Sequence, residues 1–342
     1  MEQNAEILKN AISGSLKIIE QEREQEIISR RFGLNGNKET LEQIGEMLSI
    51  TRERVRQLEK AILIRLQISA EENQIPELAA AEKILIRNLT EMGRVAKLSD
   101  LADKVYGRKT SASEKTGIYF IATFSKGLTV VEENDRYNAG VGIAEYGDSL
   151  VIRERVDEIV KIVKDHKTPI TLDELDEKLN YEHPDHIKAL ASISKLLATL
   201  NGLWGLAKWP AVNPKNIRDK IFVILESRKE PMHFSDIAKE IKESNFKRKD
   251  VTIQAIHNEL IKDSRFVLIG RGIYALSSWG YKKGTISEII KSILEKSNEP
   301  LTREEIVKQV LKVRKVKETT ILLNLQNKKL FKKIDKNLYT LV

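Results

Sequence analysis

The stretch TRERVRQLEK, residues 51–60, concentrates side chains that can bind the edges of nucleic-acid bases. Arginine donates a bidentate pair of hydrogen bonds to guanine, glutamine pairs with adenine, and glutamate accepts from the cytosine amino group. Lysines and further arginines bind phosphates, which fixes the register of a protein on its duplex. The residues with this chemistry are Arg52, Glu53, Arg56, Gln57 and Lys60. The alternative is a charged helix face that contacts only solvent.

Two short amphipathic helices are predicted to position these side chains. Apolar residues recur at the spacing i, i+3, i+7 in two successive groups, Leu41, Ile44 and Leu48, then Val55, Leu58 and Ile62. Thr40 followed by Gln43 predicts a capping box for the first helix, and Thr51 is a good N-cap for the second. Only Ser49 and Ile50 separate them, so the helices must cross steeply as a helix-turn-helix.

The segment ISRRFGLNGNKETLEQIGEMLSITRERVRQLEKAILIRL closely resembles region 4 of the sigma-70 family of bacterial transcription initiation factors, above all in RFGLNG, TLEQIG and TRERVRQLE. In that family the helix that begins at TRERVRQ enters the major groove of the promoter minus-35 element. The resemblance implies that Arg52, Glu53 and Gln57 bind bases. It also implies that Arg54 and Arg56 contact phosphates or polymerase. The family usually has a lysine where this chain has Ala61, so that phosphate contact is lost or shifted to Lys60.

The resemblance to sigma region 4 covers about residues 5–67. The upstream stretch IIEQEREQEIISRRFGL looks like the first half of the same region, which in the family also docks on the flap of the polymerase β subunit. No room precedes it for the region that binds polymerase core and melts the minus-10 DNA. As a self-sufficient sigma factor, the chain is expected to be incomplete.

The remaining sequence repeats a pattern at a spacing of roughly 65 residues. The repeated segments share an apolar residue, an acid and a final leucine or isoleucine, and they are VAKLSDL (95–101), KTPITLDEL (167–175), KEPMHFSDI (229–237) and NEPLTREEI (298–306). Each unit is predicted to close with a short strand pair that carries an aromatic residue, at Tyr137, Trp204, Tyr274 and Tyr339. Helix, strand, helix, turn, helix and terminal hairpin is the order of a winged helix, so four such domains are predicted.

Residues 216–281 resemble the HARE-type winged helix found in the δ subunit of bacterial RNA polymerase and in several DNA-associated proteins. The resemblance is carried by EPMHFSDIAKEI and VTIQAIHNELIKDSRFVLIGRGIYALSSWGY. Gly270, Arg271 and Gly272 predict a wing turn rather than a phosphate loop, because apolar strands flank them and no GKT or GKS follows. Arg271, at the predicted tip, can touch a phosphate. Because δ acts on polymerase, the resemblance leaves both DNA and polymerase open as partners.

The sequence therefore predicts a mainly α-helical fold with small β wings. An amino-terminal helix-turn-helix domain is followed by four tandem winged-helix domains. The predicted ranges are 1–72 for the sigma region 4-like domain, 76–147 and 148–212 for two winged helices, 213–282 for the HARE-type winged helix and 283–342 for a basic winged helix.

Positive charge is concentrated in the carboxy-terminal third. The whole chain has a net charge of +8, but residues 215–342 hold 28 lysines and arginines against 16 acids, a net of +12, which leaves −4 for residues 1–214. Such asymmetry indicates a polyanionic partner, with a solvated basic surface as the alternative.

The last domain contains the densest basic stretch, KVRKVKETTILLNLQNKKLFKKIDKN. Basic residues precede and follow a recognition helix predicted at 317–327, at Lys312, Arg314, Lys315, Lys317, Lys328, Lys329, Lys332 and Lys333. With Ile321, Leu322 and Leu325 packed inward, the residues expected on the groove side are Thr319, Thr320, Asn324 and Gln326.

No catalytic chemistry is indicated. The sequence has no nucleotide loop and no Ser/His/Asp arrangement with elbow glycines, so no enzyme activity, cofactor or small-molecule substrate is predicted. His183 and His186 flank Pro184, and in a chain without cysteine they predict a surface turn rather than a metal site. No signal peptide or bilayer-length apolar run is present, which predicts a cytoplasmic protein that does not enter a membrane.

The leading hypothesis is a transcription factor that binds double-stranded DNA, reads promoter sequence with its helix-turn-helix and also contacts RNA polymerase core. One alternative is a δ-like accessory module that docks on polymerase without specific DNA binding. A third, which rests only on the HARE resemblance, is a DNA-associated factor in defence or chromosome maintenance.

Overall fold

The computed structural model describes residues 2–179, 181, 184–281, 283–297, 299–335 and 337–342. The fold is mainly α-helical with small antiparallel sheets, which confirms the predicted fold class. The chain divides into two compact units, Met1–Lys208 and Trp209–Val342. The five domain ranges given above stay predictions. No helix in the described part of the chain is long and apolar enough to cross a membrane.

The amino-terminal region is built from helices with the predicted caps. They are α1 (Glu2–Ile18), α2 (Glu22–Phe32), α3 (Leu41–Leu48) and α4 (Arg52–Glu71). The amide nitrogen of Gln43 donates to Oγ1 of Thr40 at 3.2 Å, and the Gln43 side chain accepts from the Thr40 amide at 2.9 Å, which completes the capping box. The amide nitrogen of Arg54 donates to Oγ1 of Thr51 at 3.2 Å. Both predicted helix starts are confirmed.

Helix α4 is longer than the short helix predicted. It runs for 20 residues, because Ile62 and Leu66 continue its buried stripe beyond the helix-turn-helix. Its first half packs through Val55 into a small core with Ile27 and Ile44. Its second half packs into a larger core that extends from α1 to Ile143. One helix therefore joins the helix-turn-helix to the domain that follows.

Among the described residues, the order of a winged helix recurs four times. The first consists of α5 (Leu78–Glu91), β1 (Val95–Lys97), α6 (Leu98–Tyr106), α7 (Ala112–Phe124), β2 (Leu128–Val131) and β3 (Gly140–Ile143). In the second, the Ile170 bridge to Trp204 replaces the first strand. Its elements are α8 (Ser149–His166), α9 (Leu172–Leu179), α10 (Pro184–Ile193), β4 (Leu197–Leu200) and β5 (Leu203–Leu206).

The second compact unit contains the other two winged helices. The third consists of α11 (Ile217–Arg228), β6 (Met232–His233), α12 (Phe234–Glu243), α13 (Ile253–Lys262), β7 (Phe266–Leu268) and β8 (Ile273–Leu276). The fourth consists of α14 (Ile286–Ser297), β9 (Leu301–Thr302), α15 (Arg303–Val313), α16 (Glu318–Leu325), β10 (Phe331–Lys333) and β11 (Leu338–Leu341). In each three-stranded sheet the last strand lies between the other two.

Three of the four closing aromatics occupy the predicted strand. Trp204, Tyr274 and Tyr339 lie on β5, β8 and β11. Tyr137 does not: it precedes β3 and forms an isolated bridge with Ser194 of the second winged helix. All four residues of β3 are buried, and a Cβ atom at Gly140 or Gly142 would come within 2.5 Å of Ile193 or 2.8 Å of Ile152.

Candidate nucleic-acid interface

A close backbone contact forms the turn between α3 and α4. The amide nitrogen of Ile50 donates to the carbonyl oxygen of Gly45 at 2.9 Å, and Ser49 adopts the left-handed conformation with φ of +54°. A Cβ atom at Gly45 would lie 2.7 Å from the carbonyl oxygen of Ile50. Glycine is therefore required at 45, and α4 starts directly after the turn.

Ion pairs fasten α4 to α2. Nε of Arg31 lies 3.1 Å from Oε1 of Glu59, and only 22% and 17% of the two side chains are exposed. Arg65 pairs with Glu24, whose side chain is mostly buried. Partly buried pairs of this kind are screened less by water and salt than surface pairs. They hold α4 in a fixed position for any ligand that binds its exposed face.

The residues of α4 that the sequence assigns to DNA form one exposed surface, here named the α4 surface. It consists of Arg52, Glu53, Arg54, Arg56, Gln57 and Lys60, all exposed. Val55, between them, is completely buried. The structure thus brings together all six side chains, and whether they bind DNA stays a prediction.

Hydrogen bonds within the α4 surface order its side chains. Arg56 donates through Nε to Oε2 of Glu53 at 2.9 Å and through Nη2 to Oε1 at 2.6 Å. This pairing holds the pKa of Glu53 below its ordinary value and raises the pKa of Arg56. Both side chains are more than half exposed, so the pair adds little stability. A carboxylate has about four lone-pair sites, so Glu53 can accept a further hydrogen bond while it stays paired with Arg56. The side chain of Arg52 makes no hydrogen bond to another described residue.

Helix α7 holds the recognition-helix position of the first winged helix, yet it faces the protein interior. Phe120 is completely buried, and its ring centroid lies 5.0 Å from that of Phe32 on α2. Oγ1 of Thr116 donates to the carbonyl oxygen of Gly33 at 3.3 Å. A Cβ atom on Gly117 would come within 2.6 Å of the Ile12 side chain. No groove of DNA can reach this helix without separating it from the helix-turn-helix.

Helix α10, in the equivalent position of the second winged helix, is also covered. Ile187, Leu190 and Ile193 are completely buried. The amide nitrogen of Asn138, in the first winged helix, donates to the carbonyl oxygen of Ile193 at 2.8 Å. A Cβ atom on Gly93 would come within 2.5 Å of the helix backbone. In Met1–Lys208, packing between domains therefore occupies both winged-helix recognition positions.

The predicted histidine turn needs correction. Pro184 is the first residue of α10, where its missing amide hydrogen costs nothing, so His186 lies in a helix and not in a surface turn. His186 is buried, and its ring lies 5.3 Å from that of Tyr146. His183 lies outside the described residues. Within the described residues, no group of three or more histidine or acidic side chains could hold a metal ion.

In the fourth winged helix most of the predicted contacts are exposed. They are Lys315, Lys317, Thr319, Lys328 and Lys332. Lys317 is the N-cap of α16, and Lys332 lies on β10 opposite Thr340. The structure therefore places these residues around one helix and one wing.

Asn324 is an exception among the predicted groove-facing residues. Its Oδ1 accepts from Oγ of Ser287 at 2.7 Å, and its Nδ2 donates to the carbonyl oxygen of Thr320 at 2.8 Å. Both ends of the amide are engaged within the domain, and whether Asn324 binds DNA stays a prediction. Leu323, which the sequence pattern did not single out, is 65% exposed on the same helix.

Arg314 also differs from the basic residues around it. Its guanidinium donates to the carbonyl oxygens of Leu268 and Gly284, and burial lowers the pKa of the side chain. The amide nitrogen of Lys315 donates to the carbonyl oxygen of Ile269 at 3.2 Å. The loop before α16 thus lies beside the end of β7, and Arg314 joins two winged helices.

The wing of the third winged helix has the predicted form. Strands β7 and β8 pair antiparallel, and Arg271 is exposed in the turn between them. Gly272 has a φ of +67°, and a Cβ atom there would collide with the ring of His233. The interpretation as a wing turn rather than a phosphate loop is supported by this geometry.

The sequence predictions did not include one cluster of cations. Lys247, Arg248 and Lys249 are exposed in the loop between α12 and α13, and we name this segment the basic turn. Its signal in the sequence was three consecutive cations between two helical patterns.

Comparison with known proteins finds matches for two segments of the chain. Residues 21–67 match the family described as sigma-70, region 4. Residues 217–279 match the HARE-HTH family, which is described as an ASXL, restriction endonuclease helix-turn-helix domain. Both resemblances predicted from the sequence are confirmed. The chain thus contains two helix-turn-helix domains of known families, and these matches support a DNA-binding, transcription-related role.

Individual relatives match the amino-terminal region. RNA polymerase sigma factor SigA4 of Synechococcus elongatus is 42% identical over 57 residues, which is 16% of this chain and 18% of the relative. RNA polymerase sigma factor sigB of Arabidopsis thaliana is 38% identical over 61 residues, or 18% of this chain and 11% of the relative. The match thus spans less than one fifth of either relative.

Proposed function

We propose that this protein is a cytoplasmic transcription factor that reads promoter DNA in the manner of sigma region 4. In this proposal the start of α4 enters the major groove of a minus-35-like element. The single observation that supports it most is the α4 surface itself. Six polar side chains are exposed on a helix that Val55 anchors below and that the Arg31–Glu59 pair fastens from the side.

Within the α4 surface, we assign base contacts to Arg52, Gln57 and Glu53. Arg52 has no internal hydrogen bond to give up, so it suits bidentate pairing with guanine. Glu53 is held ionised by Arg56 and can accept a hydrogen bond from a cytosine amino group. Arg54, Arg56 and Lys60 would then contact phosphates.

Contact with RNA polymerase belongs to the same proposal, but its surface is restricted. Ile28 and Phe32, on the inner side of α2, are buried in the core that includes α7. A polymerase flap could therefore use only the exposed side of α2, which carries Glu22, Arg23 and Glu26. The alternative is polymerase docking without DNA reading, in which the winged helices rather than the inner side of α2 would make the contact.

We further propose that the basic winged helix lengthens the footprint on DNA. Lys315, Lys317, Lys328 and Lys332 would bind phosphates, as would Arg271 on the neighbouring wing. Several weak contacts on one chain raise affinity when they engage together. The first two winged helices would act as a scaffold, and the role is binding rather than catalysis.

The test compares binding to a duplex with a consensus-like minus-35 element and to a scrambled duplex of equal composition. The variant combines Arg52→Ala with Gln57→Ala. Each good bidentate contact contributes about 1–3 kcal/mol of discrimination, so we expect a tenfold or greater loss of preference for the promoter duplex. The matched control combines Arg87→Ala with Gln74→Ala, which removes the same residue types from exposed positions outside the α4 surface. Preference that survives in the α4 variant would refute the proposal.

A further inference from the structure

Three consecutive cations occur in the basic turn and nowhere else between residues 213 and 281. Three other arginines of the third winged helix are paired with acids: Arg218 with Glu259 at 3.1 Å, Arg265 with Asp263 at 2.7 Å, and Arg228 with Glu240. No side chain of Lys247, Arg248 or Lys249 makes an ion pair or hydrogen bond with another described residue. Three adjacent charges are thus left available to a partner.

Buried residues hold the backbone of the basic turn in place. Phe246 before it and Val251 after it are only 4% and 8% exposed. Between them, Nζ of Lys220 donates to the carbonyl oxygen of Arg248 at 2.6 Å, while Arg248 adopts a φ of +54°. A turn fixed in this way loses little conformational entropy when a ligand binds its side chains.

Lys220 adds a positive charge beneath the turn. It is 4% exposed, and burial together with the nearby charge of Arg248 lowers its pKa. Charges interact strongly where water is excluded, so the underlying cation repels those of the turn. An anion that binds outside the turn relieves this repulsion.

Helix α13, which follows the turn, lacks comparable charge. Its exposed side carries Ile253, Gln254, Asn258 and Ile261, and Lys262 is its only basic residue apart from His257. Its amino terminus, capped by Thr252, is the end of the helix that favours anions. Charge and helix dipole therefore coincide at the basic turn and not along α13.

We propose that the basic turn is a binding site for the phosphate backbone of duplex DNA. The basic turn would bind phosphates independently of base sequence. The third winged helix would thereby dock on DNA through the amino-terminal end of α13. The site is separate from the α4 surface, and its assignment rests on the proposed DNA-binding function. It adds a defined, sequence-independent contact to that function.

The test is the salt dependence of binding to the scrambled duplex, measured with the full chain. The variant combines Lys247→Gln, Arg248→Gln and Lys249→Gln, which removes the charges while the carbonyl group of residue 248 stays available to Lys220. The logarithm of the binding constant falls with the logarithm of salt concentration by about 0.9 for each phosphate neutralised. We expect the slope to become shallower by about 2 to 3.

A matched control removes three exposed charges elsewhere in the same domain, through Lys229→Gln, Lys239→Gln and Lys242→Gln. Its slope should change by less than about 1. Circular dichroism and thermal unfolding establish that both variants are folded. An unchanged slope in the basic-turn variant, or an equal change in the control, overturns the proposal. The proposal is also overturned if the basic-turn variant binds DNA as the unmodified protein does but no longer binds polymerase. In that case the partner of the basic turn is an acidic protein.

The two proposals fail in different ways. The basic-turn variant should keep the ratio of affinities for the promoter and scrambled duplexes, but its affinity should depend less steeply on salt concentration. The Arg52→Ala, Gln57→Ala variant should lose the preference for the promoter duplex. The basic turn should still contribute to the salt dependence of its binding. If the unmodified protein binds neither duplex, both proposals are refuted.

Discussion

The same winged-helix order leaves its third helix buried in one compact unit and partly exposed in the other. In Met1–Lys208, helices α7 and α10 are packed into the protein. In Trp209–Val342, helices α13 and α16 keep exposed faces, and residues 215–342 carry a net charge of +12. A winged helix is therefore not evidence of DNA contact by itself. The residues on its third helix decide whether it is scaffold or interface.

The largest expected effect concerns the buried helix of the first unit. Phe120→Ala on α7 should lower the free energy of unfolding by about 3–5 kcal/mol, because it leaves a cavity in the core shared with the helix-turn-helix. Leu323→Ala on α16 should change it by less than about 0.5 kcal/mol, since that side chain is largely exposed. Chemical denaturation measures both. Similar losses at the two positions would abolish the contrast between the units.

Within the second unit, a smaller effect should distinguish a cation that stabilises the fold from one that binds DNA. Arg314→Ala removes charged hydrogen bonds to two backbone carbonyls and should cost about 1–3 kcal/mol of stability. Lys317→Ala should leave stability unchanged and make the salt slope of DNA binding shallower by about 1. Denaturation and binding measured on the same two variants check this division. The division fails if Lys317→Ala destabilises the protein as much as Arg314→Ala does.

The smallest effect is a dependence of stability on pH in the first unit. Arg108 and the cap at Ser111 lower the pKa of Glu114 from its ordinary value of 4.5 to about 2. Because the folded pKa is depressed, this contribution is fully present above about pH 4.5 and is lost as the pH falls towards 2. Glu114→Gln should therefore lower stability above about pH 4.5, where this contribution is present, and flatten the stability profile between about pH 4.5 and 2. Thermal unfolding across this range provides the check.

Local features of the structure could be predicted from the sequence. The caps at Thr40 and Thr51 and the wing turn around Arg271 depend on neighbouring residues, and the structure contains all three. The exposure of Arg52 and Gln57 follows from the burial of Val55 one helical face away. Hydrophobic periodicity therefore predicts which side chains are exposed when only one face of a helix is buried.

Long-range packing could not be predicted in the same way. Periodicity shows that a face is apolar, but it does not show which partner covers it, so the burial of α7 and α10 was missed. The sequence GIYFIATF, apolar on every side of a helix, is the sign that could have revealed it for α7. Arg314 and Lys315 look alike in sequence. Only tertiary structure distinguishes the one that reaches the carbonyl oxygens of Leu268 and Gly284.

The central claim is that the α4 surface reads DNA sequence. The most direct test substitutes each base pair of a minus-35-like duplex in turn and measures the Kd of the unmodified protein. We expect a short contiguous block of positions where a wrong base pair costs about 1–3 kcal/mol, with the penalty at one position abolished by Arg52→Ala. A flat profile across the duplex would contradict the claim and leave a protein that binds DNA only through its phosphates.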